Sequence, residues 1–590
     1  EHRNTGTQEH RNTGTQEHRN TGTQEHRNTG TQEHRNTGTQ EHRNTPPYRR
    51  IFSCLIISFF ISFNLYANAL TVSNVTLTNQ NAEDETIDIE FNINWQNSWR
   101  GSINHDAAWV FAKYSTDSGV TWHHATLKTS DSSAGYDENP TSLGYSQGTG
   151  TELDIYVPDD NTTTVGGGYG AFLYRSYPGA GTIDTDDITL VWDWGADGLT
   201  ASTQARIKVF AIEMVYVPQG SFYIGDGDET NESTYAFHED GVDNTAVQIT
   251  ATAKNINADG AMDMAILVDG DGGIDMDGTS AVDNPDWPTG YKGFYLMKYE
   301  LSQGQYRDFL NTLTLAQQNK RTAATLDGDE AGDFVMVAED GTLSSRQTIT
   351  TESDPGSGPY TFGCDLNDDN TVDGDEDGEW IAMNYVSWMD LCAYADWAGL
   401  RPMTELEFEK ACRGPNDAVY SEYAWGTTDI TEASTISLGG TASEAVSETG
   451  KGLCNYYGSG SIGGPLRVGF AADLATNRQT AGSGYYGVME LSGNQCERCV
   501  TLGNSYGRLF EGTHGDGELT DASGNEGNAT NDDWPGIDAT TSYGVTGASG
   551  SGFRGGGWSY NAGSARVSIR NSAAYSNTVR VLSYGARCVR

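Results

Sequence analysis

Apolar residues in this chain occur in short blocks, which glycine and acidic residues separate. The 590 residues include 72 glycines, and only 36% are hydrophobic, whereas aromatic residues reach 10%. Such blocks favour short strands and helices over the long periodic stretches of a helical bundle. The aromatic content is also too high for a disordered chain. The pattern predicts a loop-rich protein that contains β-structure, and the length allows about two to four domains.

The charge balance argues against two classes of partner. The chain has 81 acidic and 35 basic residues, which gives a net charge of −46. Proteins that bind nucleic acids neutralise phosphates with a basic surface, and anionic membranes attract basic segments. We therefore expect no nucleic-acid partner and no docking on an anionic membrane.

The chain starts with a perfect repeat. Residues 1–45 contain the octapeptide EHRNTGTQ five times and begin a sixth copy. A stacked repeat protein buries an apolar face in each repeat, and this unit has no apolar residue. We interpret residues 1–48 as a disordered or artefactual segment, such as translated repetitive DNA. A histidine-rich metal-binding tract is the alternative.

Residues 49–69 have the three parts of a secretory signal peptide. Arg49-Arg50 precedes an apolar run from Ile51 to Phe63, and the small residues Ala67-Asn68-Ala69 follow it. The apolar run is too short to span a bilayer comfortably. The sequence predicts cleavage after Ala69 and export to the periplasm, the cell surface or the medium. No other stretch predicts a transmembrane helix in the mature chain.

Residues 70–212 alternate apolar and polar positions in short runs such as TIDIEFNINW and ITLVWDW. This period of two predicts strands, and the Gly, Asp, Asn and Ser residues between the runs predict turns. Short strands at regular spacing are typical of a sandwich. We expect an all-β, sandwich-like domain here.

Residues 213–590 combine short strands with three predicted helices. The first, in LSQGQYRDFL, begins with a capping box of Ser302 and Gln305. The second lies in VSWMDLCAYADWAGL. The third, TELEFEKACRG, has Thr404 as its N-cap and Gly414 at its end. The region is predicted to be a loop-rich α+β domain.

Five ordered blocks of this region carry a resemblance to one family. They are MVYVPQGSFYIGDG, FYLMKYELSQGQYRDFLN, NYVSWMDLCAYADWAGLRPMTELEFEKACRG, GVMELSGNQCER, and FRGGGWSYNAGSARVSIR with YGARCVR. Together they resemble the successive motifs of the formylglycine-generating-enzyme, or sulfatase-modifying-factor, family. The resemblance implies a C-type-lectin-like α+β fold over residues 213–590. The preceding domain is similar to β-rich modules found before such domains in secreted bacterial proteins.

The resemblance also implies a copper site, but the sequence departs from it. Enzymes of the family bind copper through two cysteines that follow the RGG motif, and thiolates suit copper(I). The matching positions here are Tyr560 and Ala565. We therefore expect no copper and no cysteine-dependent formylglycine formation.

The mature chain would contain seven cysteines, and their pairing stays open. Cys496 and Cys499 form a C-x-x-C pair. A local disulfide or two buried thiols on a turn is the favoured interpretation, because the thioredoxin-like context of a redox pair is missing.

Residues 365–376, DLNDDNTVDGDE, have the oxygen-donor spacing of an EF-hand-like calcium loop. Asn370 replaces the usual glycine at the sixth position, and asparagine tolerates the left-handed conformation. The predicted ligands are Asp365, Asn367, Asp369, Asp373 and Glu376 by side chain and Thr371 by its carbonyl.

A second calcium site is implied by the family resemblance alone. It lies at the turn in ELSGNQCE. The matching ligands are Glu490 and Glu497 by side chain, with Gly493 and Gln495 by backbone carbonyl. Calcium prefers oxygen donors of this kind.

Three functional hypotheses remain. The favoured one is a secreted, calcium-stabilised, non-catalytic relative that binds an extracellular glycan or protein through the segment from residue 558 to 575. The second is an active sulfatase-modifying oxidase or another metal-dependent enzyme of the superfamily. The third is a variable ligand-binding protein of a diversity-generating system, which uses the same fold. The predicted ligand-binding residues are Trp558, Tyr560, Asn561, Arg566, Arg570 and Tyr575.

Overall fold

The structure is a computed structural model. It describes residues 70–590 except 130–143, 161–166, 228–235, 239–245, 252–256, 259–283, 285, 327–330, 338–342, 474–475 and 539. The octapeptide segment and the predicted signal peptide lie outside the described residues. The described residues are mostly strands and loops, with four α-helices among them.

The amino-terminal part contributes the longest strands. They are β1 (Thr71–Asn81), β2 (Thr86–Arg100), β3 (Asp106–Ser115), β4 (His123–His124), β5 (Leu127–Lys128), β6 (Leu153–Tyr156), β7 (Gly167–Gly168), β8 (Ala171–Arg175), β9 (Gly179–Asp193) and β10 (Arg206–Val217). Five of them form a sheet in the order β1-β2-β9-β5-β7. This part is β-rich, as the alternating pattern predicts.

The strands that follow are short. They are β11 (Phe222–Ile224), β12 (Phe237–His238), β13 (Val247–Ile249), β14 (Asn257–Ala258), β15 (Phe294–Met297), β16 (Ile349–Ser353), β17 (Thr361–Cys364), β18 (Arg401–Pro402), β19 (Thr431–Glu432), β20 (Ile436–Ser437), β21 (Ala445–Val446), β22 (Leu453–Cys454), β23 (Cys496–Val500), β24 (Ser551–Arg554), β25 (Tyr584–Gly585) and β26 (Cys588–Val589). The helices are α1 (Gln303–Leu310), α2 (Leu315–Arg321), α3 (Trp388–Trp397) and α4 (Glu405–Arg413). Most of this part is therefore loop, in keeping with its glycine content.

One eight-stranded sheet contains strands from both parts of the chain. Its order is β18-β26-β15-β10-β3-β8-β6, and β4 pairs with β3. Within it β10 places Ile212 opposite Trp109 of β3 and Met214 opposite Met297 of β15. The expected domain boundary between residues 212 and 213 thus falls inside β10.

Strand β3 is buried over its whole length. Val110 and its alternate neighbours pack into a core with β2 and β9, whereas Trp109 and Phe111 pack into a larger core with α3. Successive side chains of a strand point to opposite faces. The Trp109 Nε1 also donates to the Ala398 carbonyl at 2.8 Å. Strand β3 therefore joins the amino-terminal strands to the helices.

The three predicted helices are confirmed, together with their caps. The Ser302 side chain accepts from the Gln305 backbone N–H, and the Gln305 side chain accepts from the Ser302 N–H. Helix α4 has the same arrangement at Thr404 and ends at Gly414, whose φ is +67°. Helix α2, which the pattern did not predict, is also capped, by Thr314. The caps fix where α1 and α4 begin, and α4 supports the site described next.

Candidate functional site

A cleft of about 90 Å³ lies between the sheet β24-β23-β25 and the segment 560–575. Four aromatic rings and several small polar groups surround it. The residues that line it are Cys496, Phe553, Arg554, Gly555, Gly556, Tyr560, Ser564, Ile569, Asn571, Ser572, Tyr575 and Tyr584. Concave sites with aromatic walls and a few polar groups are typical of ligand binding.

Strand β23 forms the floor of the cleft. It pairs in parallel with β25, where Cys496 lies opposite Tyr584, and antiparallel with β24, where Arg498 lies opposite Phe553. Because side chains alternate along a strand, Cys496 and Arg498 share the face toward the cleft. Cys499 lies on the other face, in a different hydrophobic cluster.

Arg498 packs against the rings of Phe553 and Tyr584 at the base of the cleft. Its guanidinium lies 4.4 Å from the Phe553 ring centroid and 5.1 Å from that of Tyr584, and the two centroids are 4.1 Å apart. Burial lowers the pKa of Arg498 to about 10, so the side chain stays charged at neutral pH. A desolvated cation over aromatic faces is stabilising. The rings are therefore preorganised for contact with a ligand.

Buried ion pairs fix the backbone below the cleft. Arg554 donates to Glu405 Oε2 at 3.1 Å and to Glu409 Oε1 at 2.6 Å. Arg570 donates to both oxygens of Glu405, at 2.7 and 2.9 Å. Burial alone would raise the pKa of Glu405, but Arg570 and Arg554 hold it below its usual value. The arginines of the closing motif thus tie α4 to the strands around the cleft.

Buried carboxylates gather at residues 490–497, which comprise the turn before β23 and the first two residues of that strand and are called the carboxylate turn below. Glu490 and Glu497 are 5% and 0% exposed, and Glu300 beside them is 1% exposed. Glu497 Oε1 accepts from Arg587 Nε at 2.6 Å. Among the described residues no donor meets ordinary hydrogen-bond geometry at either oxygen of Glu490 or at Oε2 of Glu497, although the Gly469 N–H lies near Glu490. Buried carboxylate oxygens without donors are costly unless a cation is present.

Two further features suit this turn to a cation. Gly493 has a φ of +85°, and a Cβ there would lie 2.3 Å from the Cys454 Sγ, so only glycine fits. Burial raises the pKa of Glu490 to about 7, and it raises that of Glu300 well above its usual value. Burial therefore disfavours the ionised form of both carboxylates, and a bound cation would offset that cost.

Comparison with known protein families matches residues 200–590, more than half of the chain, to the sulfatase-modifying factor enzyme 1-like domain. The chain belongs to this family. A search of curated proteins found no match to the chain. The cleft and the carboxylate turn both lie within the sulfatase-modifying-factor domain, and both use segments on which the resemblance rests.

The sulfatase-modifying-factor domain brings two of the six predicted ligand-binding residues to the cleft. Tyr560 and Tyr575 line it and are 38% and 40% exposed. Trp558 is buried and donates to the Leu582 carbonyl, and Arg570 is occupied by Glu405. The other two, Asn561 and Arg566, are outside the lining of the cleft.

The remaining lining residues include several that the pattern did not predict. Asn571 lies in the expected segment, but Phe553, Tyr584 and Cys496 belong to the three strands. Phe553 immediately precedes Arg554 in the RGG block, so its place beside the predicted binding segment is visible in the sequence. The contribution of Tyr584 depends on its parallel pairing with Cys496, and parallel pairing over 88 positions leaves no local sequence signal.

Among the described residues every cysteine is buried and none forms a disulfide. Cys496 and Cys499 lie on opposite faces of β23, so a disulfide between them is not formed, and the buried-thiol interpretation is confirmed. They lie on a strand rather than on the expected turn. Burial raises the pKa of the Cys496 thiol, with the carboxylates of Glu300 and Glu497 acting in the same direction. Cys496 is the one described thiol that lines the cleft.

The acidic loop has the hydrogen bonds of an Asx-rich turn. Asp365 accepts from the Asp369 and Asn370 backbone N–H groups at 3.2 and 3.0 Å, and Asn370 has the expected left-handed φ, +63°. Asp369 Oδ1 accepts from the Thr371 N–H at 2.8 Å, and Asn367 Oδ1 from the Asp369 N–H at 3.0 Å. The side chain of Glu376 is exposed.

Asp373 makes its hydrogen bonds outside this turn. Its Oδ1 accepts from Arg307 Nη1 at 2.5 Å and from the Cys364 N–H at 2.9 Å. In the part of the chain that the structure describes, no three carboxylate, thiol or imidazole side chains gather closely enough to hold a metal ion. Any cation at the turn or the loop would therefore also need amide or carbonyl oxygens. No described helix has the length and apolar character needed to cross a membrane.

Proposed function

We propose that this protein binds an extracellular glycan or protein in the aromatic cleft and does not carry out cysteine-dependent oxidation. One observation carries the proposal. The positions that match the family's two copper-binding cysteines are Tyr560 and Ala565, and Tyr560 lines a cleft that three other aromatic side chains share. Rigid aromatic surfaces contribute most of the binding energy in many recognition sites.

The state of the thiols supports the absence of copper chemistry. A copper(I) site needs soft thiolate ligands, and Cys496 alone among the described cysteines lines the cleft. One thiol in the cleft cannot supply the pair of thiolates that the family's copper site uses.

We infer that calcium stabilises the domain at two places. At the turn, Glu490 and Glu497 would bind it by side chain, with Gly493 and Gln495 supplying carbonyl oxygens. The oxygens of Glu490 and Glu497 that have no donor support this site. At the loop, Asp365, Asn367, Asp369, Thr371, Asp373 and Glu376 are the expected ligands, and the left-handed Asn370 supports the loop conformation.

Two finer features of the architecture belong to the same proposal. We infer a C-type-lectin-like core in the sulfatase-modifying-factor domain and a sandwich-like arrangement of the amino-terminal strands. The sandwich-like arrangement is supported by one hydrophobic core, to which strands of both sheets contribute side chains. Export after cleavage near Ala69 is inferred from the sequence of residues 49–69.

Binding to arrays of immobilised glycans and of peptides tests the proposal. The full chain is compared with the double variant Tyr560→Ala/Tyr575→Ala and with Tyr543→Ala, a control tyrosine with a similar exposure of 41%. We expect the double variant to lose at least about tenfold in affinity for whichever probe binds, because each lost aromatic anchor can contribute 2 kcal/mol or more, roughly. The control variant should bind like the unmodified chain. Equal binding by all three proteins would contradict the proposal.

A second assay separates the binding hypothesis from the enzyme hypothesis. The chain is incubated with copper(I) and a Cys-x-Pro-x-Arg peptide, and formylglycine is measured by mass spectrometry. We expect no turnover and no stoichiometric copper, whereas Tyr560→Cys/Ala565→Cys should gain copper(I) binding. Turnover by the unmodified chain would favour an active oxidase instead.

A further inference from the structure

The acidic loop contains a buried carboxylate that the EF-hand-like spacing does not include. Asp377 is 1% exposed, although it immediately follows the exposed Glu376. Its Oδ2 accepts from the Gly374 N–H at 2.5 Å, and its Oδ1 has no partner among the described residues. A buried carboxylate oxygen without a donor needs a positive charge to be stable.

The backbone brings Asp377 back to the start of the loop. The Leu366 N–H donates to the Asp377 carbonyl at 3.2 Å, which joins the two ends of the loop. Asp365, next to Leu366, is also 1% exposed. The backbone therefore places Asp365 and Asp377, both buried, at the joined ends of the loop.

We propose that the loop binds a calcium ion between Asp365 and Asp377, with Asp377 in the place that the spacing assigns to Glu376. Asn367 and the Thr371 carbonyl add an amide and a carbonyl oxygen, and calcium accepts six to eight oxygen ligands, water among them. The inference rests on the proposed calcium-binding role of the loop and changes its ligand set.

The same geometry makes Asp373 a weaker candidate ligand than Asp377. Its Oδ1 is already held by Arg307 and by the Cys364 N–H. Asp373 thus links the loop to Arg307 of helix α1. Asp377 is the carboxylate that remains available to a cation. Residues 365–377 contain no lysine or arginine, so Arg307 neutralises only the Asp373 side of the loop.

Calcium titration by calorimetry tests this assignment. All proteins are full chains that carry Glu490→Gln, so that the turn does not contribute to the signal. Asp377→Asn is compared with Glu376→Gln, its matched neighbour, and with Asp365→Asn, which reports whether the loop binds calcium at all. We expect Asp377→Asn to weaken binding at least about tenfold, since even outer partners of a metal contribute that much. Glu376→Gln should stay within about twofold.

Each outcome decides a different point. Weakening by Glu376→Gln without weakening by Asp377→Asn overturns the inference but leaves the loop as a calcium site. If the parent protein, which carries Glu490→Gln alone, binds no calcium, then both the inference about Asp377 and the proposed calcium role of the loop are wrong. The proposed binding function of the cleft is tested separately by the arrays. Thermal denaturation in the presence of a chelator checks folding. The melting temperature of Asp377→Asn should be no lower than that of its parent, because the substitution removes a buried charge that has no partner. A melt well below the parent in chelator would mean that Asp377 is only structural.

Discussion

The Arg570 guanidinium donates to both carboxylate oxygens of Glu405, with Nε 2.7 Å from Oε2 and Nη2 2.9 Å from Oε1. Both side chains are fully buried. Arginine makes such two-point contacts because its donors are planar and fixed. The pair joins helix α4 to the segment 560–575, which forms one side of the cleft.

Replacing Arg570 by methionine should lower the free energy of unfolding by about 3 to 5 kcal/mol, because the change leaves Glu405 buried with less compensating charge. Urea denaturation measures the effect. The control is Lys451→Met, which breaks the exposed pair with Asp429 and should change stability by at most about 1 kcal/mol. Equal effects of the two substitutions would show that the buried pair does not stabilise the fold.

The group of Glu213, Lys298 and Asp106 should make stability depend on pH. Lys298 Nζ lies 2.9 Å from Glu213 Oε2 and 3.3 Å from Asp106 Oδ2, so two buried carboxylates share one ammonium. Burial raises the pKa of Glu213 from 4.5 to about 7. The folded state keeps this proton to higher pH than the unfolded state, so the group's contribution to stability falls as pH rises from 4.5 to 7.

The expected loss over that interval is at most about 3 kcal/mol, since each pKa unit corresponds to about 1.4 kcal/mol. Glu213→Gln should remove this component, so the variant gains stability relative to the unmodified chain as pH rises. Urea denaturation from pH 4.5 to 8 gives the difference, with the exposed Glu83→Gln as the control. Parallel curves for all three proteins would contradict the prediction.

Chelation should destabilise the domain mainly through the carboxylate turn. Calcium that binds the folded state alone stabilises it, and it must displace the proton held by Glu490, whose pKa burial raises to about 7. We expect EDTA to lower the melting temperature, and calcium affinity to rise with pH through neutrality. Glu490→Gln should reduce the EDTA effect, whereas the exposed Glu511→Gln should leave it unchanged. An EDTA effect of the same size in Glu490→Gln would exclude this turn as the site.

The described thiols should resist alkylation while the protein is folded. All seven are buried, and burial raises the pKa of each one, so little thiolate is present at neutral pH. Iodoacetamide labelling followed by peptide mass spectrometry should detect modification only after unfolding in guanidinium. Fast labelling of Cys496 in the native protein would indicate a reactive thiol in the cleft.

The sequence predicted the elements whose signals are local. The capping boxes at Ser302 and Thr404 involve residues three positions apart, so they are visible in the sequence, and helices α1 and α4 begin where expected. Helix α2, LAQQNKR, has a capping box too but no apolar stripe. The periodicity of apolar residues therefore does not predict a helix at these residues.

Features that depend on distant pairing could not be predicted in this way. Strand β10 reads as the end of one domain and the start of the next, yet it pairs with β3 and β15 at once. Trp558 and Arg570 resemble binding residues in sequence, but Leu582 and Glu405 occupy their polar atoms. Only the tertiary structure distinguishes such supporting side chains from Tyr560 and Tyr575.

The path of β3 has a consequence for how the chain folds during synthesis. Trp109 of this strand lies beneath the Arg590 guanidinium, at 4.6 Å from the ring centroid, and Arg590 also pairs with Asp160. The strand β26, just before Arg590, completes the same sheet. The amino-terminal strands therefore leave the ribosome long before the segment that covers them, and their apolar outer face must be protected in the meantime. A binding factor that shields this face during synthesis would therefore increase the yield of folded protein.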